Sequence, residues 1–187
     1  MNWDEYWKSI SIKNKLIDFA RKHYYAKIFA SVIRKVCPKG KILEAGCGSG
    51  MILKELRNDY ICYGCDNSEQ SLKVARENCD DLKLCDIRKL PYEDKEFELV
   101  FNQGVMEHFS EREFVKILKE MKRVGKKVLI IVPSNYSIFK LFNVFDKNQR
   151  FINKKWLENI LRKQLRNVRV KYLSQTFFFS IAGWGDS

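Results

Sequence analysis

Short apolar runs and amphipathic stretches take turns along most of this chain. Ile42–Ala45, Ile61–Cys65, Leu82–Cys85, Leu99–Asn102 and Val128–Val132 are compact and largely apolar, the signature of strands buried on both faces. Between them Met51–Arg57, Glu69–Asn78 and Glu111–Arg123 place apolar residues at helical spacing, so the order predicts βα units and a parallel sheet. Upstream, Trp3–Ser9 and Ile12–Lys35 are expected to be helical. Their apolar stripe runs through Leu16, Phe19, Ala20, Tyr24, Ala26, Ile28, Phe29, Val32 and Ile33, and residues 1–36 are expected to cap the sheet edge or the mouth of the site. Downstream, helix Lys154–Gln164 precedes strands Val168–Leu173 and Phe177–Ala182 with no helix between them, which predicts a closing antiparallel hairpin. The expected fold is therefore a single α/β domain over 1–187, with a doubly wound, seven-stranded, mostly parallel sheet.

The first predicted strand runs directly into three alternating glycines, Gly46, Gly48 and Gly50, separated by Cys47 and Ser49. Without a Cβ at those positions the backbone turns sharply and its N–H groups approach a ligand closely. The second strand then ends in Asp66, twenty positions after Gly46, the spacing at which a βαβ unit sets a carboxylate under a ribose. A dinucleotide fingerprint G-x-G-x-x-G needs its third glycine at position 51, which is Met51. The pattern here is instead E-x-G-x-G-x-G, led by Glu44.

At these residues the chain resembles the class I S-adenosylmethionine-dependent methyltransferases of the small-molecule-type subgroup. The resemblance continues through Tyr63-Gly64-Cys65-Asp66-Asn67-Ser68, Cys85-Asp86-Ile87, the run Phe97 to His108, and Lys127 to Pro133, in the family's order. It implies S-adenosyl-L-methionine as cofactor and a role for each matching position. Glu44 reaches the cofactor's amino group, directly or through water, and the backbone of Gly46, Cys47, Gly48 and Gly50 borders its amino-acid tail. Asp66 holds the ribose hydroxyls and Asn67 flanks the adenine. Asp86 with the Ile87 backbone reads the adenine amino edge, while Asn102 and Gln103 line the wall beside the sulfonium.

A sulfonium carries an activated methyl, so alignment and desolvation supply much of the rate, and a base is needed only for a protonated nucleophile. His108 and Glu107, after the fourth strand, are the candidates, and tying the loop to the next helix is their competing structural role. Some relatives in the family bind a divalent metal through E-x-x-E-H at this point. Here the first carboxylate is absent from Gly104-Val105-Met106-Glu107-His108, so no metal site is assigned.

Composition narrows the acceptor only partly. The net charge of +12 and the pI near 9.4 favour anionic partners such as RNA or acidic lipid, although the cations alternate with Glu on solvated helical faces. The insert at 134–152 is aromatic and apolar over much of its length, with four Phe, and is expected to be a lid over an apolar acceptor or a peripheral membrane contact. Six cysteines fit small buried packers, since one C-x-x-C along a strand makes neither a zinc ribbon nor a disulfide framework. With no run of 18 apolar residues and no basic-then-apolar leader, the expected location is cytoplasmic. The function expected is methyl transfer by in-line displacement to an oxygen or nitrogen of a small or lipid-like acceptor. Its alternatives are an RNA or protein methyltransferase and a non-catalytic cofactor-binding scaffold subunit.

Overall fold

The computed structural model describes residues 15–79, 81–135, 150–176 and 180–187. Its elements run α1 (Lys15–Val36), β1 (Lys41–Ala45), α2 (Met51–Leu56), β2 (Ile61–Asp66), α3 (Glu69–Ala75) and β3 (Asp81–Leu84). Then follow β4 (Phe97–Gln103), a 3₁₀ turn at Met106–His108, α4 (Glu111–Val124), β5 (Gly125–Pro133), α5 (Lys154–Arg162), β6 (Arg166–Leu173) and β7 (Ser180–Asp186). Seven strands form one sheet in the order β3-β2-β1-β4-β5-β7-β6. The first five are parallel, and β7 runs antiparallel to both of its neighbours.

The sheet separates two apolar layers, as the double-sided apolar strands require. On one face Phe29, Ala30 and Ile33 of α1 pack with Leu53, Leu56 and Phe101, all 4% exposed or less. On the other, α4 contributes Phe114, Ile117, Leu118 and Met121, and α5 contributes Leu157 and Leu161, every one fully buried. Helix α4 begins at a complete capping box, in which Ser110 and Glu113 satisfy each other's backbone N–H groups. Asn153 caps α5 in a similar way, accepting from the N–H groups of Lys155 and Trp156.

Three expectations are corrected. The last strand lies at Ser180–Asp186 rather than Phe177–Ala182, of which 177–179 fall outside the described residues. The sequence Gly183-Trp184-Gly185 looks like a strand stop, but here the glycines make room. A Cβ on Gly183 would come within 2.5 Å of Leu161 Cδ1, and one on Gly185 within 2.7 Å of the Arg166 carbonyl oxygen. Tyr24, assigned to the apolar stripe, is 52% exposed, while the unassigned Ala30 is fully buried. Helix α3 stops at Ala75, and Asn78 turns in so that its amide donates to the Ser49 carbonyl, fastening the glycine turn. The segment Trp3–Ser9 and most of the expected lid lie outside the described residues.

Candidate active site

The glycine turn leaves β1 with all three glycines in the left-handed region, φ being 81° at Gly46, 52° at Gly48 and 70° at Gly50. Residues with side chains rarely adopt that conformation. Close packing adds a second reason at Gly46, where a Cβ would meet Val105 Cγ2 at 2.8 Å. The turn is fastened to β2, since the N–H groups of Gly46 and Cys47 both donate to the Cys65 carbonyl, at 2.8 and 2.9 Å. Asp66, at the end of β2 and 8% exposed, accepts from Gly48 N–H at 2.9 Å and from Ser68 N–H at 3.0 Å. Each carboxylate oxygen keeps lone-pair capacity for a further donor.

Glu44 precedes the turn and is 3% exposed. Its Oε2 is buried with no hydrogen-bond partner. Burial pushes this carboxyl well above the usual carboxylate range, and the neighbouring charge of Asp66 adds to the shift. Asn102, from the end of β4 and fully buried, donates through Nδ2 to the Ala45 carbonyl, and its Oδ1 has no partner. Glu44 at the end of β1 and Asn102 at the end of β4 thus each leave a buried acceptor without a donor, and such an atom suits a ligand that brings one. The buried Glu44 carboxyl has the chemistry to accept from the amino group of an amino-acid-tailed ligand.

The remaining positions are placed unequally. Ile87 is buried in the apolar layer, which leaves its backbone alone to face a ligand. Asp86 is clasped by Arg88, whose backbone N–H, Nε and Nη2 all donate to it at 2.7 to 3.0 Å. That clasp, with the backbone hydrogen bond, holds the Asp86 carboxyl below its usual range against the opposing effect of burial. Arg88 also reaches Glu113 in the α4 capping box at 3.0 Å, so the loop after β3 is tied to α4. Asn67 is exposed and Gln103 half-buried.

After β4 the chain turns at Gly104, with φ 69°, into the 3₁₀ turn. Glu107 is 1% exposed, and its Oε1 would lie 3.8 Å from a Cβ on Gly104, so the carboxylate folds back over the end of β4. His108 is half-buried, and its N–H donates to the Val105 carbonyl at 3.1 Å. Arg150 was not foreseen: its backbone N–H and its Nε both donate to the Glu107 carbonyl at 3.3 Å. Its guanidinium lies 5.7 Å from the Trp156 ring centroid, so Arg150 bridges the loop after β4 and helix α5. No local sequence signal links Arg150 to Glu107, because the contact spans 43 residues.

The cysteines are spread through the interior of the domain. Cys37, Cys47, Cys65 and Cys79 are buried and Cys62 and Cys85 half-buried, all as free thiols. Burial raises Cys47 well above the ordinary thiol value and pushes Cys62 up to about 12, so both are inert packing groups at neutral pH.

Residues 43–131 match a family model described as a methyltransferase domain. The sheet order and the glycine turn at the end of β1 lie within or around that match. The fold is that of the class I methyltransferases. It is similar to a mouse protein described as "Probable tRNA methyltransferase 9B", with 30% identity over 115 residues, 61% of this chain and 24% of that one. A second relative is the Xenopus tropicalis tRNA (carboxymethyluridine(34)-5-O)-methyltransferase, with 31% identity over 100 residues, 51% of this chain and 16% of that one. The chain matches a quarter or less of the length of these two curated relatives. Among solved structures, magnesium protoporphyrin IX methyltransferase from Synechocystis, with bound SAH, superposes with a TM-score of 0.74. That match covers 95% of this chain and 91% of the other at 15% identity, a likeness of fold.

Proposed function

We propose that the domain transfers a methyl group from S-adenosyl-L-methionine to an acceptor bound at the ends of β4 and β5. The observation that carries this reading is the buried, unpartnered Glu44 Oε2 beside a glycine turn held by Asp66. A buried carboxylate oxygen without a donor is costly in the free protein, and a ligand ammonium removes that cost. Glu44 reaches the cofactor's amino end, the turn from Gly46 to Gly50 lies along its tail, Asp66 takes its ribose, and Asn102 with Gln103 lines the wall beside the sulfonium. Asp86, Ile87 and Asn67 lie on the adenine side. Bound there, the cofactor supplies a methyl on a good leaving group. The protein aligns the nucleophile with that methyl, excludes water, and removes a proton where the nucleophile carries one. His108, with Glu107, is the group assigned that proton.

For the acceptor we favour an RNA nucleoside. Two relatives described as tRNA methyltransferases and the net charge of +12 support this over the small or lipid-like acceptor expected from the apolar insert. The small-molecule reading keeps one observation in its favour, the near-complete overlap with a porphyrin methyltransferase. No helix among the described residues is long and apolar enough to cross a membrane.

Calorimetric titration with S-adenosylmethionine, run beside NAD⁺, tests the cofactor assignment. Saturable binding of the first alone is expected; binding of neither would overturn the cofactor assignment. With an acceptor in hand, His108→Ala should lower turnover and flatten its pH profile while leaving cofactor affinity unchanged. An unaltered profile would make His108 structural.

A further inference from the structure

At the opposite ends of the parallel strands, away from the glycine turn, lies a cavity of about 580 Å³. Lys39, Lys95, Lys126, Lys127 and Arg166 line it, against the carboxylates of Glu98 and Asp186. Those two acids are occupied: Glu98 pairs with Lys126, and Asp186 accepts from Asn167 Nδ2 at 2.8 Å. Lys39 makes no ion pair among the described residues. Burial above all, with the charges of Lys122 and Arg166 and against that of Asp94, holds the Lys95 ammonium below its usual value, and its Nζ donates to the Lys122 carbonyl at 3.0 Å.

Strand β6 starts at this cavity. It lies on the outer edge of the sheet, antiparallel to β7, so it runs in the same direction as β1 to β5. Its eight residues therefore climb about 26 Å, from the cavity toward the edge where the glycine turn lies. Arg166, Arg169 and Lys171 stand exposed along it, and Val168 and Val170 point the other way into the core. A bulge between Arg166 and Arg169, with Asn167 at φ 51°, bends the strand so that cations flank the irregularity on both sides. At the top, the Lys154 ammonium sits 5.5 Å from the Tyr172 ring centroid. Arg169 and Lys171 make no ion pair among the described residues. Edge-strand cations also discourage pairing with other sheets, but that role does not call for a second cluster of cations in a cavity at the strand's foot.

We propose that this cavity and the β6 edge form a track for the phosphate backbone of an RNA acceptor, docking the body of the RNA while its target nucleoside enters the cofactor edge. The inference rests on the RNA reading above. Phosphate contacts of this kind fix position without reading sequence, and each makes binding more sensitive to salt.

The test uses the whole chain, a fluorescently labelled transfer RNA and anisotropy titrations from 50 to 200 mM salt. Replacing Arg169 and Lys171 by Gln should lower the log–log salt slope by roughly two and affinity at low salt about tenfold, with cofactor affinity by calorimetry unchanged. Replacing Lys116 and Lys119, on the exposed face of α4, should leave the slope as it was. Equal losses from both pairs, or a wild-type slope in R169Q/K171Q, would overturn the track. A protein that binds cofactor normally but retains no RNA at any salt would overturn the RNA reading itself.

Discussion

At the C-terminal ends of β1 and β2, Glu44 and Asp66 lie buried beside a glycine turn, whereas at the opposite ends of the same sheet five cations surround an open cavity. The first end works through short distances. Its carboxylates are shielded from solvent, backbone N–H groups aim the Asp66 oxygens, and a displacement of an ångström would spoil the fit. The second works through charge number. Its side chains are long and exposed, and salt screens each of them. Precision therefore requires burial and a local energetic cost, while attraction at a distance requires neither.

The largest expected effect lies at the buried end. Asp66→Ala removes the ribose acceptor and also the partners of Gly48 and Ser68, so cofactor affinity should fall by about a hundredfold or more, ~2.7 kcal/mol. Asp66→Asn, which keeps one carbonyl oxygen for those N–H groups, should lose less. Equal affinities for Asp66→Ala and wild type would remove Asp66 from the cofactor site.

Glu44 should show the cost of that precision directly. Its folded carboxyl titrates above its unfolded value, so the folded state binds the proton more tightly. Stability is then fully present below the unfolded value and is lost as pH rises toward the folded one. Glu44→Gln should accordingly be more stable than wild type at pH 7, by on the order of 1–3 kcal/mol, with the gain vanishing near pH 4. Melting curves across that range check the sign, and a Gln variant less stable at pH 7 would mean that the carboxylate is satisfied. The same variant should bind cofactor more weakly.

The smallest effect is expected at the exposed end. Lys126 and Glu98 are paired but about half exposed, so Glu98→Gln should change stability by less than roughly 0.5 kcal/mol. Thermal unfolding at low and high salt reads this out. A loss of several kcal/mol would show that the two ends are not so different after all.

Much of this architecture is legible in the chain because it rests on repeating local signals. The apolar runs of β1, β2, β4 and β5 need only their own side chains to declare themselves, and Gly46, Gly48 and Gly50 declare a turn by their conformation. What was missed depends on approach between distant segments. Gly183 belongs inside a strand because Leu161 of α5 comes close enough to exclude a side chain, a fact that nothing around position 183 announces. The reach of Arg88 to Glu113, and the grip of Arg150 on the Glu107 carbonyl, likewise join segments whose spacing carries no period. The site followed the same division: its backbone cradle was readable, but the unpartnered oxygens that favour a cationic ligand were not.

The position of β7 between β5 and β6 has a consequence for how the chain reaches this state. Strand β7, the last element in sequence order, is interior in space, so β5 keeps a bare edge until Ser180–Asp186 arrives. That edge includes Val128 to Val132, five consecutive apolar residues, an inviting template for pairing with another chain. During synthesis the hairpin of β6 and β7 must dock as a unit and late, after the parallel strands have assembled. The interval before docking is when the molecule is most prone to aggregate, and a chaperone or slow translation would act there.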